Sequence, residues 1–132
     1  MFQTVHLRLR IDGREIEGES KVTSFEREDT IECLSFYYEC KTPLDTTTGQ
    51  ISGKPRHMPT KIRKRIDKST PLLLKALYNN ETVDSAEFRF FRPELAGTGQ
   101  VEHFFTVRLE NGYICSVQQV SEDVVVAGEA AP

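Results

Sequence analysis

Between Lys61 and Lys68 the chain sets five cations, Lys61, Arg63, Lys64, Arg65 and Lys68, into a protein whose formal net charge is −3. Lysine and arginine at this density, reaching back to Lys54 and Arg56, are the composition that neutralises a phosphate backbone. A single-strand-binding barrel also needs aromatic side chains on the same exposed face, where bases stack. The segment 60–68 contains none. On the residues alone, two readings of the run stay open: a solvated charged face and a nucleic-acid surface.

Other chemistry is harder to build. No Gly-x-Ser-x-Gly elbow occurs, and Gly97-Thr98-Gly99 follows a proline-containing loop instead of joining a strand to a phosphate-binding helix. His6, His57 and His103 are far apart in sequence and have no histidine or cysteine at ligand spacing, so strand packing or solvent is their expected environment. The acidic groups Glu26/Glu28/Asp29 and Glu122/Asp123 lie in polar stretches that give a carboxylate no reason to change its acidity. Cys33, Cys40 and Cys115 form no C-x-x-C pair and are expected as reduced, buried thiols. No catalytic residue, metal or cofactor is expected.

The elements that would position these residues are mostly extended. Val5, Leu7, Leu9 and Ile11 alternate with His6, Arg8 and Arg10, as a half-buried strand requires. Asp12-Gly13 predicts a turn into a second short strand at residues 14–16. Residues 18–29, "GESKVTSFERED", read as polar and irregular. Both faces of residues 30–40, "TIECLSFYYEC", are largely uncharged, with Leu34, Phe36 and Tyr38 on one side and Ile31, Cys33, Ser35 and Tyr37 on the other. Such a strand is covered on both faces or faces a partner. By this parity Phe36 is core and Tyr37 faces outward.

Residues 41–59 lack apolar periodicity and exceed the roughly 12–15 residues of an idle loop. In the basic segment, Ile62, Lys64 and Ile66 share one parity and Lys61, Arg63 and Arg65 the other. Thr70 and Pro71 then open a helix over residues 71–79, with Thr70 as cap, and Asn79-Asn80 ends it. Strands follow at 85–92, 101–110 and 112–120, the last two joined across Glu110-Asn111-Gly112. The fold class is mainly β, closing as a barrel or sandwich with one helix.

At 132 residues with 38% hydrophobic content this is one domain, without an apolar run long enough to span a bilayer. The start, "MFQTVHLRLR", shows no secretory signal, so the expectation is cytoplasmic synthesis and no membrane insertion.

Residues 18–21 "GESK", 31–39 "IECLSFYYE", 48–57 "TGQISGKPRH", 64–77 "KRIDKSTPLLLKAL", 85–91 "SAEFRFF" and 101–117 "VEHFFTVRLENGYICSV" together resemble the haemolysin-coregulated protein (Hcp) family, the tube protein of bacterial type VI secretion. The resemblance covers roughly 4–120, and Lys64 to Pro71 is its most specific part. It implies a small β-barrel of two sheets with one short helix at its side and a long extended loop over 41–59. It also implies hexameric rings stacked into a tube, expelled with a spike protein by a contractile sheath, leaving the cell without a signal peptide and carrying effectors in the lumen. No reaction and no nucleic acid are implied. The family's cargo-contacting side falls on Ser35 and Tyr37, and ring assembly on Thr47, Gly49, Gly53, Lys54 and Arg56 of the loop. The basic run then gains a third reading, with Arg63 and Arg65 meeting carboxylates across an assembly interface. Residues 121–132, "SEDVVVAGEAAP", differ from the aromatic and charged strand of family members and read as an atypical or shortened tail. A tail-tube protein of another contractile injection system or phage, or a monomeric nucleic-acid-binding barrel, are the alternatives.

Overall fold

The computed structural model describes residues 3–51, 53–94 and 99–120. Its strands are β1 (Thr4–Ile11), β2 (Arg14–Ile16), β3 (Ile31–Tyr37), β4 (Cys40–Lys41), β5 (Arg56–His57), β6 (Lys61–Lys64), β7 (Thr82–Pro93) and β8 (Val101–Tyr113), with one α-helix, α1 (Thr70–Asn79). The main sheet runs β6-β3-β1-β7-β8 with β2 beside β1, and β4 and β5 form a second, two-stranded sheet. This is the mainly β, two-sheet fold expected, with the helix where Pro71 and Asn80 place it.

The alternation of β1 sets the core. Val5, Leu7, Leu9 and Ile11 are all buried, and Val5 and Leu7 pair directly with Phe90 and Phe88 of β7 on one side and with Cys33 and Ile31 of β3 on the other. Directly opposite residues of an antiparallel pair share a face, so these six side chains form one apolar surface. Phe36 of β3 meets Phe88 and Phe90, two strands away, edge to face at ring-centroid distances of 4.8 and 5.1 Å. A flat sheet would hold rings so placed about 10 Å apart, given the strand spacing. The sheet is therefore curled around its core, and α1 adds Ala76, Leu72 and Leu73 to the same cluster.

Asp12 and Gly13 adopt φ of 53° and 82°, the left-handed pair that a two-residue hairpin turn needs. Asn80 ends α1 at φ 52°, its N–H donating to the carbonyls of Ala76 and Leu77. Ser69 rather than Thr70 occupies the N-cap, because the Thr70 hydroxyl is taken by the Asp67 N–H and Lys64 Nζ, both at 3.1 Å.

Three expectations fail for definable reasons. In β3, strict alternation would put Cys33 and Phe36 on opposite faces, yet both belong to the core, because the pairing to β6 slips between Cys33 and Ser35. A bulge adds one residue and reverses the parity beyond it. Leu34 is thereby 49% exposed instead of packing beside Phe36, and Tyr38 is exposed as well.

The Asn111-Gly112 turn does not form. Asn111 has the expected positive φ of 57°, but β8 runs straight through it, with Gly112 and Tyr113 paired to Val83 and Thr82. The ladder to the long β7 holds these residues in line, and among the described residues 114–120 form no strand for a hairpin to use. Cys40 and Cys115 are exposed, and only Cys33 is a buried thiol.

The polar segment 18–29 is irregular but it is packed. On the back of β1 and β7, His6 and Phe91 meet edge to face at 5.7 Å, and Arg27 lies 4.4 Å above Phe91. The His6 Nδ1 and the Thr30 hydroxyl lie 2.9 Å apart, and His6 is 2% exposed. Burial lowers the His6 pKa below its ordinary 6.5, with Glu32 opposing and Arg27 assisting.

Candidate functional site

The basic run divides into residues with different tasks. Lys64 is opposite Cys33 and points toward the protein, where its ammonium donates to Asp67 Oδ1 at 2.9 Å, to the Arg65 carbonyl at 2.8 Å and to the Thr70 hydroxyl. The same Asp67 oxygen accepts from the Ser69 N–H at 2.9 Å and from the Ser69 hydroxyl. Burial alone would raise the Asp67 pKa, but hydrogen bonds from Ser69 and Lys64 outweigh it and hold the carboxyl below its ordinary value. Lys64-to-Pro71 is thus a knot that ties β6 to the first turn of α1.

Further along, the backbone N–H of Lys68 donates to Glu19 at 3.0 Å and its ammonium lies 3.6 Å from Glu17. Arg65 lies 3.7 Å from Glu32 in an exposed pair. Lys61 sits over the Tyr37 ring at 5.6 Å. Arg63 forms no ion pair among the described residues.

The register of β3 against β6 decides what these cations face. Phe36 is opposite Ile62, and both pack on the core; Ser35 is opposite Arg63 and Tyr37 is opposite Lys61, and all four are exposed. Ser35, Tyr37, Lys61 and Arg63 therefore share one outward face, with Leu34 beside them. The basic run does have an aromatic on its exposed side, supplied by the neighbouring strand, contrary to the reading from residues 60–68 alone. Tyr37 donates its hydroxyl to Glu39 at 3.1 Å, which raises the phenol pKa.

The loop 41–59 is a β-arm. Its base is the β4–β5 pairing, Cys40 to His57 and Lys41 to Arg56, and a further bridge joins Leu44 to Ile51. At the tip the Asp45 carboxylate accepts from the Thr47 N–H at 2.8 Å and its carbonyl from the Gly49 N–H at 2.7 Å. Gly49 at φ 74° and Gly53 at φ 110° occupy conformations that disfavour any side chain. Leu44 and Ile51 are 59% and 69% exposed, and Lys54 and Arg56 are also exposed.

The residues expected to act together thus fall into two groups. Arg63 and Arg65 belong with Ser35 and Tyr37, whereas Thr47, Gly49, Gly53, Lys54 and Arg56 belong to the arm. Sequence reasoning set Lys61 on the face of Arg63 and Arg65 but not against Tyr37, and it put Leu34 on the opposite side, since only the strand register and the bulge reveal these placements. Among the described residues, no histidine, cysteine and carboxylate group is arranged to hold a metal ion. Nor is any helix long and apolar enough to cross a membrane.

The described residues form a curled sheet with a side helix and an arm, and comparison with known proteins places this fold in a family. The family model described as "Type VI secretion system effector, Hcp" matches residues 9–129. The chain belongs to the Hcp family. The Major exported protein of Pseudomonas aeruginosa is 34% identical over 103 residues, which are 78% of this chain and 59% of that protein. The chain therefore spans less than two-thirds of this relative's length. Among solved structures, Hcp1 from the E. coli EAEC 042 pathovar superposes with a TM-score of 0.80 at 34% identity, covering 92% of this chain and 79% of the other. A second Hcp crystal structure gives 0.83 at 25% identity, covering 97% and 80%. In this chain the knot at Lys64 to Pro71 and the leucine-rich helix together fix one flank of the core.

Proposed function

We propose that this Hcp chain is a structural tube subunit of a bacterial type VI secretion system. Its copies form hexameric rings that stack, are expelled with the spike by the contractile sheath, and carry effectors in the lumen. The observation that carries this reading is the Hcp family match over 9–129. In this reading the β-arm is the contact to neighbouring copies. Paired at its base and bridged again at Leu44 and Ile51, it is held extended, and its exposed apolar residues lie near the tip. An arm so built gains stability by burying Leu44 and Ile51 against another copy. The face of Ser35 and Tyr37 is turned to the lumen.

The test is export. A tagged copy expressed in a strain with an active system should accumulate in the culture medium, and deletion of the sheath gene should abolish this while leaving the cellular level unchanged. Release that persists without the sheath contradicts the proposal.

A further inference from the structure

We infer that the outward face of β3 and β6 selects partners with acidic surfaces, so that the cargo of this subunit presents carboxylates to it. The inference rests on the tube reading for the word cargo, but its chemistry comes from the register. Ser35 opposite Arg63 and Tyr37 opposite Lys61 place the two residues that the tube reading turns to the lumen and two cations on the same face. Cargo cannot meet one pair without meeting the other. Lys61 is spread over the Tyr37 ring, and Arg63 makes no ion pair among the described residues, so its guanidinium is available for a bidentate carboxylate contact. Arg65 adds a third charge, held only loosely by Glu32 at 3.7 Å with both side chains largely in solvent.

The surroundings favour a protein over a nucleic acid. Glu32 and Glu39 lie among the cations, and Glu39 accepts the Tyr37 hydroxyl, placing a negative charge at the edge of the one ring on which a base would stack. Leu34, 49% exposed, gives the face an apolar element that a phosphate backbone would leave unused. A protein surface that sets its own carboxylates against Lys61, Arg63 and Arg65 and its apolar residues against Leu34 matches the cations and the apolar element, and cations facing it speed encounter and exclude basic competitors.

The full chain, purified as it assembles, should be titrated with a labelled peptide of alternating glutamate and leucine, a matched lysine-leucine peptide, and oligo-dT, with ring formation imaged in parallel. The glutamate peptide should bind and the lysine peptide should not. The double variant Lys61→Glu/Arg63→Glu should weaken binding at least about tenfold without loss of rings. Arg63→Gln, which removes one charge from an exposed position, should weaken it about two- to fivefold and serves if the double variant misfolds. Binding unaffected by these substitutions, or absent from the wild type, overturns the inference. So does tighter binding of oligo-dT, which would make the face a nucleic-acid surface, and so does a loss of rings confined to the variants, which would make it a subunit interface. If the wild type forms no rings yet the glutamate peptide binds and responds to the substitutions, the tube reading fails and the acidic-partner surface stands.

Discussion

Replacing Asp67 by alanine removes the centre of the knot between β6 and α1. One carboxylate oxygen accepts from the Lys64 ammonium, the Ser69 N–H and the Ser69 hydroxyl, in a place where the side chains of Lys64 and Asp67 are each only 11% exposed. Loss of a charge-assisted bond costs roughly 1.5–3 kcal/mol, and loss of the helix-start contacts about another 1. The Arg65 carbonyl and Thr70 hydroxyl remain as partners for Lys64, so the expected total is about 2–4 kcal/mol. Against a domain stability of roughly 5–15 kcal/mol this is a large share. With a urea m-value of about 2 kcal/mol/M, the middle of the usual range for small proteins, the midpoint should fall by about 1–2 M at unchanged slope. Arg65→Ala, which breaks only the exposed pair to Glu32, should cost no more than about 0.5 kcal/mol. Lys64→Met combined with Asp67→Ala should cost less than the sum of the single changes, because no unpaired ammonium is left behind. The Asp67 pKa is lowered in the folded state, so its contribution is present above the unfolded value near 3.8 and is lost as pH falls through the folded value. Equal midpoints for Asp67→Ala and Arg65→Ala would refute the reasoning.

Phe36→Ala should cost about 2–4 kcal/mol, since it empties the contact with Phe88 and Phe90, whereas Tyr37→Ala should leave the thermal melt within about a degree of wild type. His6 has a lowered folded pKa, so the native state binds fewer protons than the unfolded one; stability should fall as pH drops below about 6.5, and His6→Gln should flatten that slope in denaturant titrations. In native protein an aromatic disulfide reagent should modify Cys40 and Cys115 promptly. Cys33, buried and with its pKa pushed up to about 12, should react only after unfolding; prompt labelling of all three would place the β3 bulge wrongly. Shortening the arm between Lys41 and Arg56 to a tight turn should weaken ring stacking while the circular dichroism of the β fold is retained, and stacking at wild-type concentrations would show that the arm has no assembly role.

What the sequence reveals here is whatever depends on local periodicity. The core face of β1, the Asp12-Gly13 turn and the helix closed by Asn80 are each written in a few adjacent residues, and the structure keeps them. What it conceals depends on pairing between distant segments. Nothing in "CLSF" marks the slip that turns Leu34 outward and brings Phe36 into line with Cys33, because a bulge is fixed by the partner strand. The Asn111-Gly112 dipeptide signals a turn, but the β7 ladder holds the chain straight. Parity alone puts Lys64 on the side of Ile62 and Ile66, but only the structure supplies its partners there, Asp67, Thr70 and the Arg65 carbonyl. For His6 the sequence leaves strand packing and solvent both open, and the packing of Thr30, Arg27 and Phe91 around it decides for burial. The candidate site is half legible: the sequence marks Tyr37 and Arg63 separately, and their shared face follows only from the β3–β6 pairing.

That this chain builds rings is open to direct test by electron microscopy of the purified native protein. Uniform annular particles with six-fold symmetry and an open centre are expected, stacking into short tubes as concentration rises. A field of single compact particles at every concentration, with a native mass equal to one chain, would contradict it.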